Sequence, residues 1–204
     1  MKALDMRAAI SRALEDLATY EGELGDLDAA LGDGDLGVTI AAGSKAVISA
    51  LGGLPDTATP VDIARACAAA FADANPSTMA ALVAGGLLAG SKVWDSTEDI
   101  SAVDASEFLA AAADSISKRG RSQIGDKTIL DAMYPAVPAL AGGSDTAAGL
   151  EAAIDAAHAA VKETQGMKSQ RGRASWLQER SIGLQDPGAT AFWYFLRSWK
   201  KTNS

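Results

Sequence analysis

Residues 27–40 read LDAALGDGDLGVTI. Asp28, Asp33 and Asp35 fall within eight residues, interleaved with Gly32, Gly34 and Gly37, and no lysine or arginine lies close by in sequence. An apolar run follows at once, with its hydrophobic residues three and four apart. That is the period of a helix, not the alternation of a half-buried strand. The glycine-rich turn therefore leads into a helix over about 36–51, which Gly52-Gly53 and Pro55 bring to an end.

The same period holds outward in both directions. Alanine is abundant, β-branched runs are short, and helices are predicted over 3–23, 60–73, 76–94, 104–119, 126–141 and 145–164. Pro60 suits a first helical turn, where its missing N–H would have no partner. Pro135 and Pro138 should kink or break the helix over 126–141. An eighth helix starts at Asp186-Pro187 and carries Phe192, Trp193, Phe195 and Leu196. The expected class is all-α, eight helices with little or no strand, in a single domain over 1–204.

The chain has 204 residues, 48% hydrophobic and 22% charged, with a net charge of −8. A phosphate backbone would be repelled, so nucleic acid is not an expected partner. The single Cys67 cannot form an intrachain disulfide, which fits a reducing compartment. The start, MKALDMRAAI, has charges inside a helical pattern and does not read as a signal peptide. No uncharged apolar run reaches the roughly 20 residues that a membrane span needs. A cytoplasmic location is expected.

Three ionised carboxylates so close together raise one another's pKa, and a divalent cation removes the repulsion. Mg²⁺ takes hard oxygen ligands and shares them with substrate phosphates. Glycines 32, 34 and 37 would allow tight positive-φ backbone that turns Asp33 and Asp35 toward one point. The helix that follows would offer N–H groups and the positive end of its dipole to phosphate. A polar turn between helices is the plain alternative. A calcium loop lacks its closing glutamate.

Three other stretches bear on phosphate. Arg171, Arg173 and Arg180 cluster in RGRASWLQER, and the arginine fork suits phosphate, though pairing with Glu179 and other acids is an equal reading. Asp186-Pro187-Gly188 reads as helix cap, first turn and close backbone approach. Ser77 and Thr78 begin a helix and Asp126 stands at another, where a cap is the simpler role for each. The only histidine, His158, lies in an alanine-rich helix far from these motifs and reads as structural. A serine triad is therefore poorly supported and a His-rich zinc site is excluded. Metal-assisted phosphoryl transfer remains.

Taken together, LDAALGDGDLGVTI, GDKTILDA and GRASWLQERSIGLQDPGAT resemble the L subunit of the dihydroxyacetone kinase family, in order and at similar separations. The resemblance implies a barrel of eight antiparallel helices with ADP or ATP at one end. It implies Asp28, Asp33 and Asp35 as ligands of two Mg²⁺ ions. It implies nucleotide contacts at Leu36, Gly37, Val38, Thr39, Ser77 and Thr78. Further contacts are implied at Gly120, Ile129, Asp186, Pro187 and Gly188, with Arg173 both binding the nucleotide and steadying the transferring phosphoryl group. Two positions depart from the family: Leu36 stands where GDGDHG has histidine, and NPSTM stands where GGTSG is usual. The resemblance also implies a separate ketose-binding K subunit, and either ATP or a phosphotransferase-system protein as phosphoryl source. A homo-oligomer or hetero-oligomer is expected. The ketose is a triose by family default, or a four-carbon ketose such as erythrulose. A nucleotide-binding regulatory module is the other reading.

Overall fold

The helical period resolves into nine α-helices in the computed structural model, which describes residues 1–95 and 97–204. They are α1 (Ala3–Ala18), α2 (Glu21–Leu31), α3 (Leu36–Gly52), α4 (Pro60–Ala74), α5 (Thr78–Ser91), α6 (Ala102–Gly120), α7 (Ile129–Ala141), α8 (Thr146–Thr164) and α9 (Pro187–Asn203). Among the described residues the only β-pairing is an isolated bridge between Lys2 and Asp99.

Eight of the nine helices close a ring. Each of α3 to α9 packs on the next in order, and α1 joins α9 back to α3. The side chains at the closing seam give its direction. Arg12 reaches Thr202 and Asn203, Asp16 accepts from Ser198, and Tyr20 stacks on Tyr194, so α1 and α9 run antiparallel. Arg7 donates to the Leu54 carbonyl just beyond α3, so α1 and α3 are antiparallel as well. Two apolar clusters fill the ring. One is built mainly by α1, α3, α4 and α5 and the other by α6, α7 and α8; Trp193 and Phe195 of α9 pack against both. No described helix is long and apolar enough to cross a membrane.

The structure departs from the expected helices at several places. The helix expected over 3–23 stops at Ala18, and Glu21–Leu31 forms a separate α2 outside the ring. The Thr19 hydroxyl donates to the Asp16 carbonyl at 2.6 Å and competes with the helical ladder there. The helix expected over 76–94 begins at Thr78 behind a Ser77 cap, and its last residues, Lys92–Trp94, tighten into a 3₁₀ turn. The helix expected from 126 begins at Ile129, because Thr128 and Asp131 form a reciprocal capping box. It runs unbroken through Pro135 and Pro138 to Ala141. Each proline removes one backbone hydrogen bond, and packing against α6, α8 and α9 keeps the helix whole. Between α8 and α9, Arg173–Ser181 form 3₁₀ turns kinked at Gln178, which has φ 52°.

Candidate active site

Alternating helix direction brings the N-termini of α3, α5, α7 and α9 to one end of the ring, with the C-terminus of α6 at Gly120. Contacts tie these ends together. Asn75 Nδ2 donates to the Thr39 carbonyl at 3.4 Å, linking the segment before α5 to α3. A Cβ on Gly188 would stand 3.5 Å from Ile129 Cβ, so the first turns of α7 and α9 touch. Four helix N-termini give this end unpaired N–H groups and positive dipole ends, a setting that favours anions.

The acidic cluster sits at the same end. Asp28 lies in the last turn of α2, and Asp33 and Asp35 in the link to α3. One carboxylate oxygen from each of Asp28, Asp33 and Asp35 lies within 4.8 Å of the others. The backbone that achieves this uses one positive φ, 78° at Gly34. Gly32 and Gly37 have no such conformation, contrary to expectation. Gly37 is instead demanded by packing: any Cβ there would overlap the Glu21 carbonyl of α2. Asp28 Oδ2 also accepts the Leu36 N–H at 3.2 Å, fixing α2 to the start of α3.

The cluster has one cationic partner, and it comes from far along the chain. Arg173, at the start of the 3₁₀ turns, pairs with Asp33. Asp35 is held above the ordinary carboxylate pKa, first by burial and then by Asp33 and Asp28, with Arg173 opposing. The donor set fits a hard divalent cation: three carboxylate oxygens, no sulfur or imidazole, and one guanidinium against three acids.

The other expected residues have varied surroundings. Ser77 caps α5, accepting the Ala80 N–H at 3.1 Å, so its hydroxyl has the plain role as well as its place at the site. Thr78 opens that helix. Val38 is exposed and Thr39 buried. Leu36 is buried in the apolar cluster, and its N–H is taken by Asp28. Asp186 caps α9 through the Ala189 N–H at 2.7 Å, and burial pushes its carboxyl up to about 7 against that cap. Pro187 is the first residue of α9. Asp126 does not cap a helix; it accepts from Gln123 N–H and Arg171 Nε. His158 stacks flat on Trp193 with ring centroids 4.2 Å apart.

Two residues at this end were not anticipated. Asn75 lacks any periodic signal. Asp131 is buried and accepts from the Gly125 and Thr128 N–H groups; the spacing of Thr128 and Asp131, a capping pattern, was the sign of it.

Residues 30–201 match the DAK2 domain. The chain belongs to the DAK2 domain family. Asp33, Asp35 and Arg173 fall inside that match, and Asp28 lies two residues before it. Over 166 residues the chain is 35% identical to the ADP-binding subunit DhaL of PEP-dependent dihydroxyacetone kinase 1 from Listeria innocua, covering 81% of this chain and 79% of that one. Over 178 residues it is 35% identical to L-erythrulose 1-kinase of Mycolicibacterium smegmatis, covering 86% of this chain but 31% of that protein. The fold matches the crystal structure of the dihydroxyacetone kinase from C. freundii in complex with AMP-PNP and Mg²⁺, with a TM-score of 0.80 at 22% identity. That match covers 100% of this chain and 34% of the other. The chain thus spans about a third of the length of the longer kinases it resembles.

Proposed function

We propose that this chain is the nucleotide-binding, phosphoryl-transferring subunit of a short-ketose kinase. The observation that carries the reading is the convergence of Asp28, Asp33 and Asp35 with Arg173 at an end surrounded by four helix N-termini. Membership of the DAK2 domain family and similarity to an ADP-binding DhaL subunit support it.

Asp28, Asp33 and Asp35 would hold Mg²⁺, as two ions. When bound, Mg²⁺ neutralises the charge on nucleotide phosphates and makes the terminal phosphorus more electrophilic. The protein's own groups do the rest. The first turn of α3, at Gly37 and Val38, and the start of α5, at Thr78, would direct N–H donors at phosphate oxygens, with the Ser77 and Thr78 hydroxyls beside them. The Thr39 and Ser77 N–H groups are taken by the Asp35 and Asn75 carbonyls, so Thr39 completes the turn by packing. Leu36 contributes by packing, since its N–H is engaged. Gly120, Ile129 and the Asp186-Pro187-Gly188 turn wall the remainder of the nucleotide. Arg173 is aimed by its pairing with Asp33 and would stabilise charge as the phosphoryl group moves. Catalysis of this kind is positioning and charge stabilisation, so no general-base histidine is required from this chain.

The phosphoryl acceptor is a ketose held on a separate K subunit. The donor is ATP or a phosphotransferase-system protein that recharges retained ADP; the PEP-dependent Listeria relative favours the second. A four-carbon ketose is the alternative substrate, favoured by the similarity to the L-erythrulose kinase.

The test is phosphoryl transfer from Mg-ATP, or from a recharged Mg-ADP complex, to dihydroxyacetone and erythrulose with the K subunit present. Transfer to either confirms the kinase reading. Tight Mg-ADP binding without transfer to any ketose overturns it and leaves a regulatory nucleotide-binding module. Native mass spectrometry of the purified chain separates the two donors, because retained ADP marks the recharged cycle.

A further inference from the structure

The motif GDKT, residues 125–128, holds the one buried cation among the described residues, Lys127, which has no part in the site as described. Lys127 is buried, at 2% exposure, in left-handed backbone with φ 62°. Buried lysines are uncommon, and a non-glycine residue at positive φ is strained. Both features persist only where the surroundings enforce them.

The Lys127 ammonium donates to two carbonyls on opposite limbs of the loop between α8 and α9. One is Met167 O at 3.2 Å, on the outgoing limb; the other is Ser181 O at 2.5 Å, on the returning limb. Its neighbour grips the same loop beside it. The Asp126 carbonyl accepts the Gln170 N–H at 3.0 Å, and the Asp126 carboxylate accepts Arg171 Nε at 2.7 Å. The loop limbs also meet each other, through Gly183 N–H to Gln165 O at 2.7 Å and Ser169 N–H to Ser181 Oγ at 2.9 Å. The base of the loop is thus clamped to the start of α7, and Arg173 lies two residues past the Arg171–Asp126 pair. Beyond the clamp the tip is open: Trp176 is 79% exposed.

We propose that Lys127 and Asp126 are positioning residues that fix the Arg173 loop in register with the acidic cluster. The inference rests on the role assigned to Arg173 above. Asp126–Lys127 and the α7 N-terminus are one continuous segment, so the clamp ties the wall of the nucleotide site to the loop that bears the arginine. An unclamped loop would still leave the three aspartates and the helix N-termini in place. Its loss should therefore lower turnover without weakening nucleotide binding.

The experiment uses the full chain with its K subunit, and the variants Lys127→Met, Asp126→Asn and Arg173→Ala. Lys127→Met keeps the stem and removes the donors; Asp126→Asn removes only the charge of the Arg171 pair and covers the case in which Lys127→Met fails to fold. Each folded clamp variant should lose about tenfold or more in kcat, equivalent to 1.4 kcal/mol, while the Kd for Mg-ADP stays within about twofold. Trypsin should cut native protein after Arg173 or Arg180 faster than in wild type. Unchanged kcat with an equally protected loop overturns the proposal, as does a fall in Mg-ADP affinity parallel to kcat. If Arg173→Ala itself retains full turnover, the role of Arg173 fails, and the proteolysis readout still reports on the clamp by itself.

Discussion

Arg173 and Asp33 stand 140 residues apart in sequence and form an ion pair at the acidic end of the ring. The pair joins the loop between α8 and α9 to the link between α2 and α3. Both residues are substantially exposed, so the pair adds little stability. Its value lies in aim: the guanidinium is parked on a carboxylate that would hold metal.

Asp33→Asn removes one hard ligand and one charge. It should abolish transfer and weaken Mg-nucleotide binding, read by calorimetry with Mg-ADP and by the transfer assay. Near-normal activity would remove Asp33 from the metal site. Arg173→Lys should preserve Mg-ADP affinity better than kcat, because fork geometry counts most in the transition state. Equal losses in both would contradict that role.

Gly37→Ala tests the packing behind the site. An added Cβ meets backbone, the Glu21 carbonyl and the Gly25 nitrogen, and neither can swing aside as a side chain would. Overpacking costs about 1–3 kcal/mol, and more where backbone must move. The variant should melt several degrees lower than wild type and bind Mg-ADP more weakly, since α2 carries Asp28 and the first turn of α3 is the one proposed to meet phosphate. Gly52→Ala, where the added Cβ meets nothing within 4 Å, is the control and should melt at or near the wild-type temperature.

These residues show what a sequence can disclose and why. The convergence of Asp28, Asp33 and Asp35 was legible because it is local: the spacing alone brings like charges together. The ring of helices was legible from period and breakers. The split between α1 and α2 was not, because it depends on the Thr19 hydroxyl competing for a carbonyl within an otherwise helical pattern. Gly37 was read as a positive-φ turn residue when its cause is a neighbour sixteen residues earlier. That the Leu36 side chain lies in the apolar cluster was not legible, because its motif says nothing of what packs on it. Lys127 gave no local sign at all, since its partners lie 40 and 54 residues away.

Asp186 gives a pH dependence of stability. Burial raises its folded pKa to about 7, opposed by the Ala189 N–H, by Lys127 and by the Gly188 N–H. Its unfolded value is near 3.9. Between about pH 4 and 7 the folded state therefore holds a proton that the unfolded state has lost, so this group makes stability fall as pH rises through that window and level off above it. Asp186→Asn keeps an oxygen acceptor for the cap and cannot ionise. In nucleotide-free protein, the melting temperature of the variant relative to wild type should rise from pH 5 to pH 8. A difference that stays flat over that range would show that Asp186 ionises freely in the folded protein.

Cys67 offers a probe of the first apolar cluster. It lies buried on α4 among the residues that pack against α3 and α5, and burial pushes its thiol up to about 12. Disulfide reagents attack the thiolate, whose population at pH 8 is then on the order of one in ten thousand. Native protein should react with an aromatic disulfide only as fast as it opens, and at once in denaturant. If binding stabilises the fold, Mg-ADP at 100 times its Kd contributes about 2.7 kcal/mol and should slow labelling roughly a hundredfold in the regime where opening is a pre-equilibrium. Labelling of native protein at the rate of a free thiol would place Cys67 outside the core; labelling that Mg-ADP does not slow would mean that the first cluster opens independently of the nucleotide end.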